Sequence, residues 1–216
     1  MSRIAIIGGH GKVALHLSRI LTGQGHEVSS MIRNPDHSGD VRDAGATPVI
    51  ADVETASAGE LADQLRGHDA VVWSAGAGGG NPERTYAVDR DAAIRSMDAA
   101  TTAGVQRYIM VSYLGAGKDH GVPEDNSFFP YAEAKAAADE HLKSTSLDWT
   151  ILGPGALTLE PATRKIQTGP GTPGGQVSRE DVAMVAAEVL ADPSTAGKVI
   201  EFINGSTPIP QAVRDI

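Results

Sequence analysis

The chain has 216 residues, 41% hydrophobic and 21% charged, enough for one substantial core and a single domain over residues 1–216. A formal net charge of -9 and an aromatic content of 4% argue against a basic face for DNA and a stacking platform for single strands, so no nucleic-acid partner is expected. The absence of cysteine excludes disulfides and thiolate metal sites, and with no leader pattern or apolar run near ~18 residues the expectation is a soluble, cytoplasmic protein without a membrane partner.

An apolar run, Ile4 to Ile7, opens the pattern as a buried strand and meets Gly8, Gly9 and Gly11. A helix follows, with Val13, Leu15, Leu17, Ile20 and Leu21 at sheet-facing positions and Gly23 and Gly25 as its stop. His26 to Ile32 reads as the second strand, ending at Arg33-Asn34-Pro35. A short polar helix (36–44), a third strand (47–51), a helix (57–65) and a fourth strand (70–73) come next. The fourth strand enters a loop of small residues, Ser74 to Gly80.

A long alanine-rich helix is expected over 84–103, with Glu83, Arg84 and Asp89 to Asp91 on a solvated face. The fifth strand (107–111) leads through a long loop to a helix from Tyr131 to Lys143, with Pro130 at its start. Phe128 and Phe129 precede this helix, where they could wall the pocket, but they read first as ordinary core. A sixth strand (148–152) runs into Gly153-Pro154-Gly155. Residues 156–177, with Pro161, Pro170 and Pro173, are expected to be irregular and to form a flexible flap over the substrate cleft. Ser178-x-x-Asp181 has the form of a capped start for a helix to Ala191, before a last strand (198–203) and a short tail. Strands alternate with helices throughout, which predicts a doubly wound parallel α/β sheet, the Rossmann architecture. Ligands in such sheets bind at the carboxyl edge, near the reversal of strand order.

Gly8-x-x-Gly11-x-x-Ala14 has the spacing of a dinucleotide turn. The first glycine allows the turn, the second lets backbone approach a diphosphate, and the small third residue lets helix and strand pack closely. Gly11-Lys12 is followed by Val13, so the Gly-Lys-Ser/Thr loop of nucleoside triphosphatases is excluded. At the end of the second strand an acid grips the ribose of NAD, whereas an arginine suits the 2′-phosphate of NADP. Arg33 stands there, with Lys12 as a second cation and His10 in the turn, so NADP(H) is the expected cofactor and NAD the less favoured one. Tyr131 and Lys135 lie four apart on one helix face, and Ser112 ends the preceding strand. An ammonium there would lower the phenol pKa toward a value useful for proton transfer, and the serine could orient a substrate carbonyl. No histidine spacing suits a metal, so none is expected.

With Gly8 to Ala14, Arg33, Asp52-Val53, Ala75-Gly76-Ala77, Ser112, Tyr131/Lys135 and Leu152 to Gly155 in place, the chain resembles the short-chain dehydrogenase/reductase superfamily. It is most similar to the compact, atypical branch with epimerase-like and NmrA-like members. The resemblance implies that Gly8, Gly9, His10, Gly11, Lys12 and Val13 hold the diphosphate region and that Asp52 and Val53 flank adenine. It places Ala75, Gly76 and Ala77 along the cofactor ribose. Lys135 would hold the nicotinamide ribose, Tyr131 would be the acid/base, and Pro154 and Gly155 would lie by the carboxamide. Two positions depart from the family pattern: Val88-Asp89 replaces an Asn of the long helix, and Gly153 replaces an Arg. The implied function is NADPH-dependent oxidoreduction of a small carbonyl or epimerisable substrate, by a monomer or homodimer. The alternatives are a non-catalytic NADP(H) sensor of NmrA type and a flavin or biliverdin reductase.

Overall fold

Alternating apolar positions on the first strands set the layers. In β1 (Arg3–Ile7), Ile4 and Ile6 join one buried cluster while Ala5 and Ile7 join another on the opposite face. The computed structural model describes residues 1–169 and 171–216, so Pro170, one of the expected breaks in the 156–177 stretch, lies outside the described residues.

From β1 the chain passes through the glycine turn into α1 (Lys12–Gly23), then β2 (Glu27–Ile32), a 3-10 turn (Pro35–His37), α2 (Ser38–Asp43) and β3 (Thr47–Ile50). The next unit is α3 (Ala58–Leu65) and β4 (Ala70–Trp73). The long helix that follows is one rod in three parts: α4 (Pro82–Thr85), a π-helical segment (Tyr86–Ala92) and α5 (Ala93–Ala103). Then come β5 (Arg107–Val111), α6 (Phe129–Ser144) and β6 (Asp148–Pro154). The remainder is β7 (Ala156–Thr158), β8 (Lys165–Thr168), β9 (Gln176–Ser178), α7 (Arg179–Ala191), a 3-10 turn (Pro193–Thr195), β10 (Lys198–Asn204), β11 (Thr207–Pro208) and α8 (Ile209–Arg214).

The main sheet has nine strands in the order β11-β8-β10-β6-β5-β4-β1-β2-β3. From β3 to β10 every pair is parallel. That is the Rossmann order, with its reversal between β1 and β4. Helices α1, α7 and α8 cover one face and α3, α5 and α6 the other.

Two expectations need correction. The 156–177 stretch is not without regular structure: it carries β7, β8 and β9, and β8 pairs antiparallel with β10. The tail also folds, as β11 on β8 and as α8 against α7. The sheet is therefore mixed at this edge. Asp181 organises the region. Ser178 caps α7 by accepting from the Asp181 N–H at 2.9 Å. The buried Asp181 carboxylate accepts from the Thr163 and Arg164 N–H groups at 2.9 and 2.7 Å. Arg164 is thereby held at a φ of 59°. A capping residue and a distant turn thus share one carboxylate, which local sequence patterns do not reveal.

Candidate active site

The glycine turn is shaped first by the chain's own packing. Gly8 has a φ of +84°, and a Cβ there would lie 2.5 Å from the Ala75 backbone. A Cβ on Gly9 would meet the Ser30 Cβ at 2.5 Å. Gly11 is different: the nearest atom is the Gly8 carbonyl oxygen at 3.2 Å, and the residue opens onto a cavity. It also caps α1 without a side-chain bond, and no acidic residue occupies the first turn. The first N–H groups of α1 are therefore left for an anion.

The cavity has a volume of about 340 Å³ and is lined by Gly8, His10, Gly11, Arg33, Asp52, Val53, Ala75 and Gly76 among the expected cofactor residues. Its location beside the strand reversal, with uncapped amides at one end and cations at the other, fits an adenine dinucleotide. His10 stacks on His37 with ring centroids 3.6 Å apart and bonds Asp40 at 2.8 Å. Arg33 and Arg84 both pair with Glu54, each at 3.3 Å. Arg84 also donates to the Ala77 carbonyl at 2.7 Å, so it belongs to the cavity wall and not to a solvated helix face.

Other expected cofactor residues lie elsewhere. Gly9 and Val13 are buried behind the turn. Lys12 lines a separate groove with Leu159 and Glu160. Ala77 is buried, and its N–H donates to Asp89 at 3.0 Å. Pro154 and Gly155 end β6, where a Cβ on Gly155 would meet the Gly175 oxygen and Ile203. Gly153, the departure from an expected Arg, faces the Glu201 side chain, which accepts from the Gly115 N–H at 2.8 Å.

Tyr131, Lys135 and Asp139 form a stripe on α6, four residues apart, turned toward the end of β5. Lys135 is wholly buried, and its ammonium donates to the Val111 carbonyl at 2.9 Å and to the Met110 sulfur at 3.1 Å. Ser112 is buried and donates to Asp139 Oδ2 at 2.5 Å. Asp89 projects from the π-helical segment into the same region, and a Cβ on Gly76 would touch its Oδ1 at 3.1 Å. Asp89 is 2% exposed, contrary to the solvated face expected for residues 89 to 91. The π turn re-aims this side chain, as such turns do at functional sites.

The electrostatics reverse one expectation. Burial lifts Tyr131 well above the ordinary phenol range, and the carboxylates of Asp89 and Asp139 push the same way. Burial pulls Lys135 below the usual ammonium range, against the pull of Asp139 and Asp89. Burial raises both Asp89 and Asp139, partly offset by the Ala77 amide at Asp89 and by Lys135 at Asp139. The phenol is thus held protonated, first by burial and then by the two carboxylates beside it. Asp89 and Asp139 were not among the expected site residues. The stripe at 131, 135 and 139 was visible in helical spacing, whereas burial of Asp89 depends on the π turn. Tyr113 was missed as well: its ring packs 5.6 Å from Tyr131 and its buried hydroxyl lacks a partner among the described residues.

Comparison with known proteins agrees with this geometry. A family model described as NAD(P)H-binding matches residues 8–193. A Bacillus subtilis protein, named as an uncharacterized sugar epimerase, YhfK, is 32% identical, with 99% of this chain and all of that protein covered. A Bacillus halodurans structure, whose name proposes an NAD-dependent epimerase/dehydratase, superposes with a TM-score of 0.92 at 34% identity and full coverage of both chains. The Lactococcus lactis oxidoreductase ylbE gives a TM-score of 0.89 at 30% identity, covering 99% of this chain and 96% of that one. The chain belongs to the NAD(P)H-binding family of Rossmann-fold proteins, related to the short-chain dehydrogenase/reductase, epimerase-like and NmrA-like branch.

Proposed function

We propose that the protein is an NADP(H)-dependent oxidoreductase that reduces a small carbonyl compound. The observation that carries this reading is the α6 stripe at the end of β5, joined to the dinucleotide cavity through the Ala77–Asp89 bond. When bound, NADP(H) supplies or accepts the hydride. Arg33 would take the 2′-phosphate, and Gly11 with the first turn of α1 the diphosphate.

Tyr131 holds the proton. A phenol kept neutral by burial and by Asp89 and Asp139 suits donation to a developing alkoxide in carbonyl reduction. Ser112 donates its hydroxyl hydrogen bond to Asp139, so toward the cleft it presents lone pairs and acts as a positioning residue that ties β5 to α6. Lys135 fixes the backbone at Val111 and supplies positive charge between two carboxyls. Tyr131→Phe should lower carbonyl reduction about 10²- to 10⁴-fold while leaving NADPH affinity, measured by fluorescence titration, unchanged. Undiminished turnover would remove Tyr131 from the role of acid.

A second reading, an NADP(H)-binding sensor without turnover, is favoured by the engagement of the Lys135 ammonium with Val111 and Met110. It requires tight NADPH binding and no oxidation of NADPH across a broad carbonyl panel.

A further inference from the structure

A second cavity, about 650 Å³, shares the loop after β4 with the dinucleotide cavity and has Tyr131 in its wall. Phe128, Pro130 and Pro82 line it with Tyr131, together with Gly79 and Gly80. No Lys, Arg or His lines it. Its one carboxylate is the exposed Glu124. The nearby lysines are engaged elsewhere, Lys118 with Glu140 at 3.2 Å and Lys135 with Val111, and His120 bonds Glu133 at 2.8 Å. Behind Tyr131 stand Asp89 and Asp139, both buried. A phosphate or carboxylate entering here would lose water and meet no compensating charge, with acids on two sides.

The same wall offers aromatic surface. Phe128 lies 5.2 Å from Tyr131 and 5.3 Å from Tyr113 between ring centroids. Yet Phe128 is 42% exposed, so it is not the core residue its sequence context suggested. An aromatic ring left on a cavity rim favours a flat apolar ligand.

We propose that this cavity takes an uncharged, ring-bearing carbonyl compound, its ring against Phe128 and its oxygen toward the Tyr131 hydroxyl. The proposal rests on the reading of Tyr131 as proton donor. It disfavours sugar nucleotides and flavin nucleotides as substrates, because the cavity offers their phosphates no cationic side chain.

The test compares acetophenone with 4-acetylbenzoate, which share ring and ketone and differ by one carboxylate. Binding is measured by calorimetry and ligand-observed NMR on folded protein, with and without NADP⁺, apart from turnover. Acetophenone should bind NADP⁺-loaded protein at least about tenfold more tightly than 4-acetylbenzoate, a difference of about 1.4 kcal/mol. Phe128→Ala should weaken acetophenone about fivefold, and Glu124→Lys should narrow the gap between the two probes. Equal or tighter binding of 4-acetylbenzoate overturns the proposal, as does the absence of binding by either probe. If the binding preference holds but no NADPH is oxidised, the cavity assignment stands and the hydride-transfer reading falls.

Discussion

The two cavities share one loop and differ in charge. The cavity at the strand reversal gathers Arg33, Arg84, His10 and His37 around uncapped helix amides. The cavity at Tyr131 has aromatic and proline walls, no cation, and buried carboxyls behind it. Arg33 and Arg84 are already paired with Glu54, so the first site keeps its cations in partial use through ion pairs that an anionic ligand could displace. In the second, buried acids are held by Ser112, Lys135 and the Ala77 amide, leaving a protonated phenol as the polar handle. The contrast separates binding, where charge is neutralised by many small contributions, from chemistry, where one proton is placed.

The sharpest break in the comparison is Gly11→Val against Gly8→Val. A side chain at position 8 collides with the Ala75 backbone in a left-handed conformation, so Gly8→Val should lower the melting temperature strongly and abolish NADPH binding. Gly11→Val has no contact under 3.2 Å to relieve, so it should stay folded while NADPH affinity falls at least about a hundredfold. Circular-dichroism melts with fluorescence titration decide this; retained affinity in Gly11→Val would remove the turn as the phosphate site.

Next in size is Arg33→Ala. Loss of its fork should weaken NADPH about tenfold, the size of one charge-assisted hydrogen bond, and leave NADH affinity unchanged. Equal losses for both cofactors would mean that Arg33 contributes through Glu54 and not through a 2′-phosphate.

The smallest effect concerns Asp139. Its folded pKa lies above the ordinary carboxyl value, so its favourable share of stability is present below the usual carboxylate range and is lost as pH rises through the folded value. Asp139→Asn lacks that titration. Relative to the wild type, its melting temperature should improve as pH rises above the usual carboxylate range, where ~1 kcal/mol corresponds to ~2–4 °C in a domain of this size. A parallel pH course in both proteins would show that Asp139 does not titrate in that range.

Much of this was legible in the chain. The strand-turn-helix at Ile4 to Leu21, the order of alternating elements, the Ser178 cap and the Tyr131/Lys135 spacing all follow from local periodicity and turn chemistry. Several site features did not. Lys12 carries the motif's cation in sequence yet lines a groove with Leu159 and Glu160 and is not among the residues that line the cavity at the turn. Arg84 and Asp89 sit among polar neighbours that suggest solvent, yet one lines the cavity and the other is buried. Asp89 lies within the π turn of the long helix, whereas Arg84, which precedes that turn, is held to the wall by the Ala77 carbonyl and Glu54.

The sequence by itself determined the Rossmann class, the position of the dinucleotide turn and the helix that bears the phenol. Each depends on residues within one or two turns of one another, where backbone sterics and apolar spacing decide. The tertiary structure decided the antiparallel β8 and β11 edge, the burial of Asp89 and Asp139, and the upward direction of the Tyr131 pKa. These depend on pairings between distant segments and on desolvation, and desolvation is a property of the packed molecule rather than of any stretch of chain.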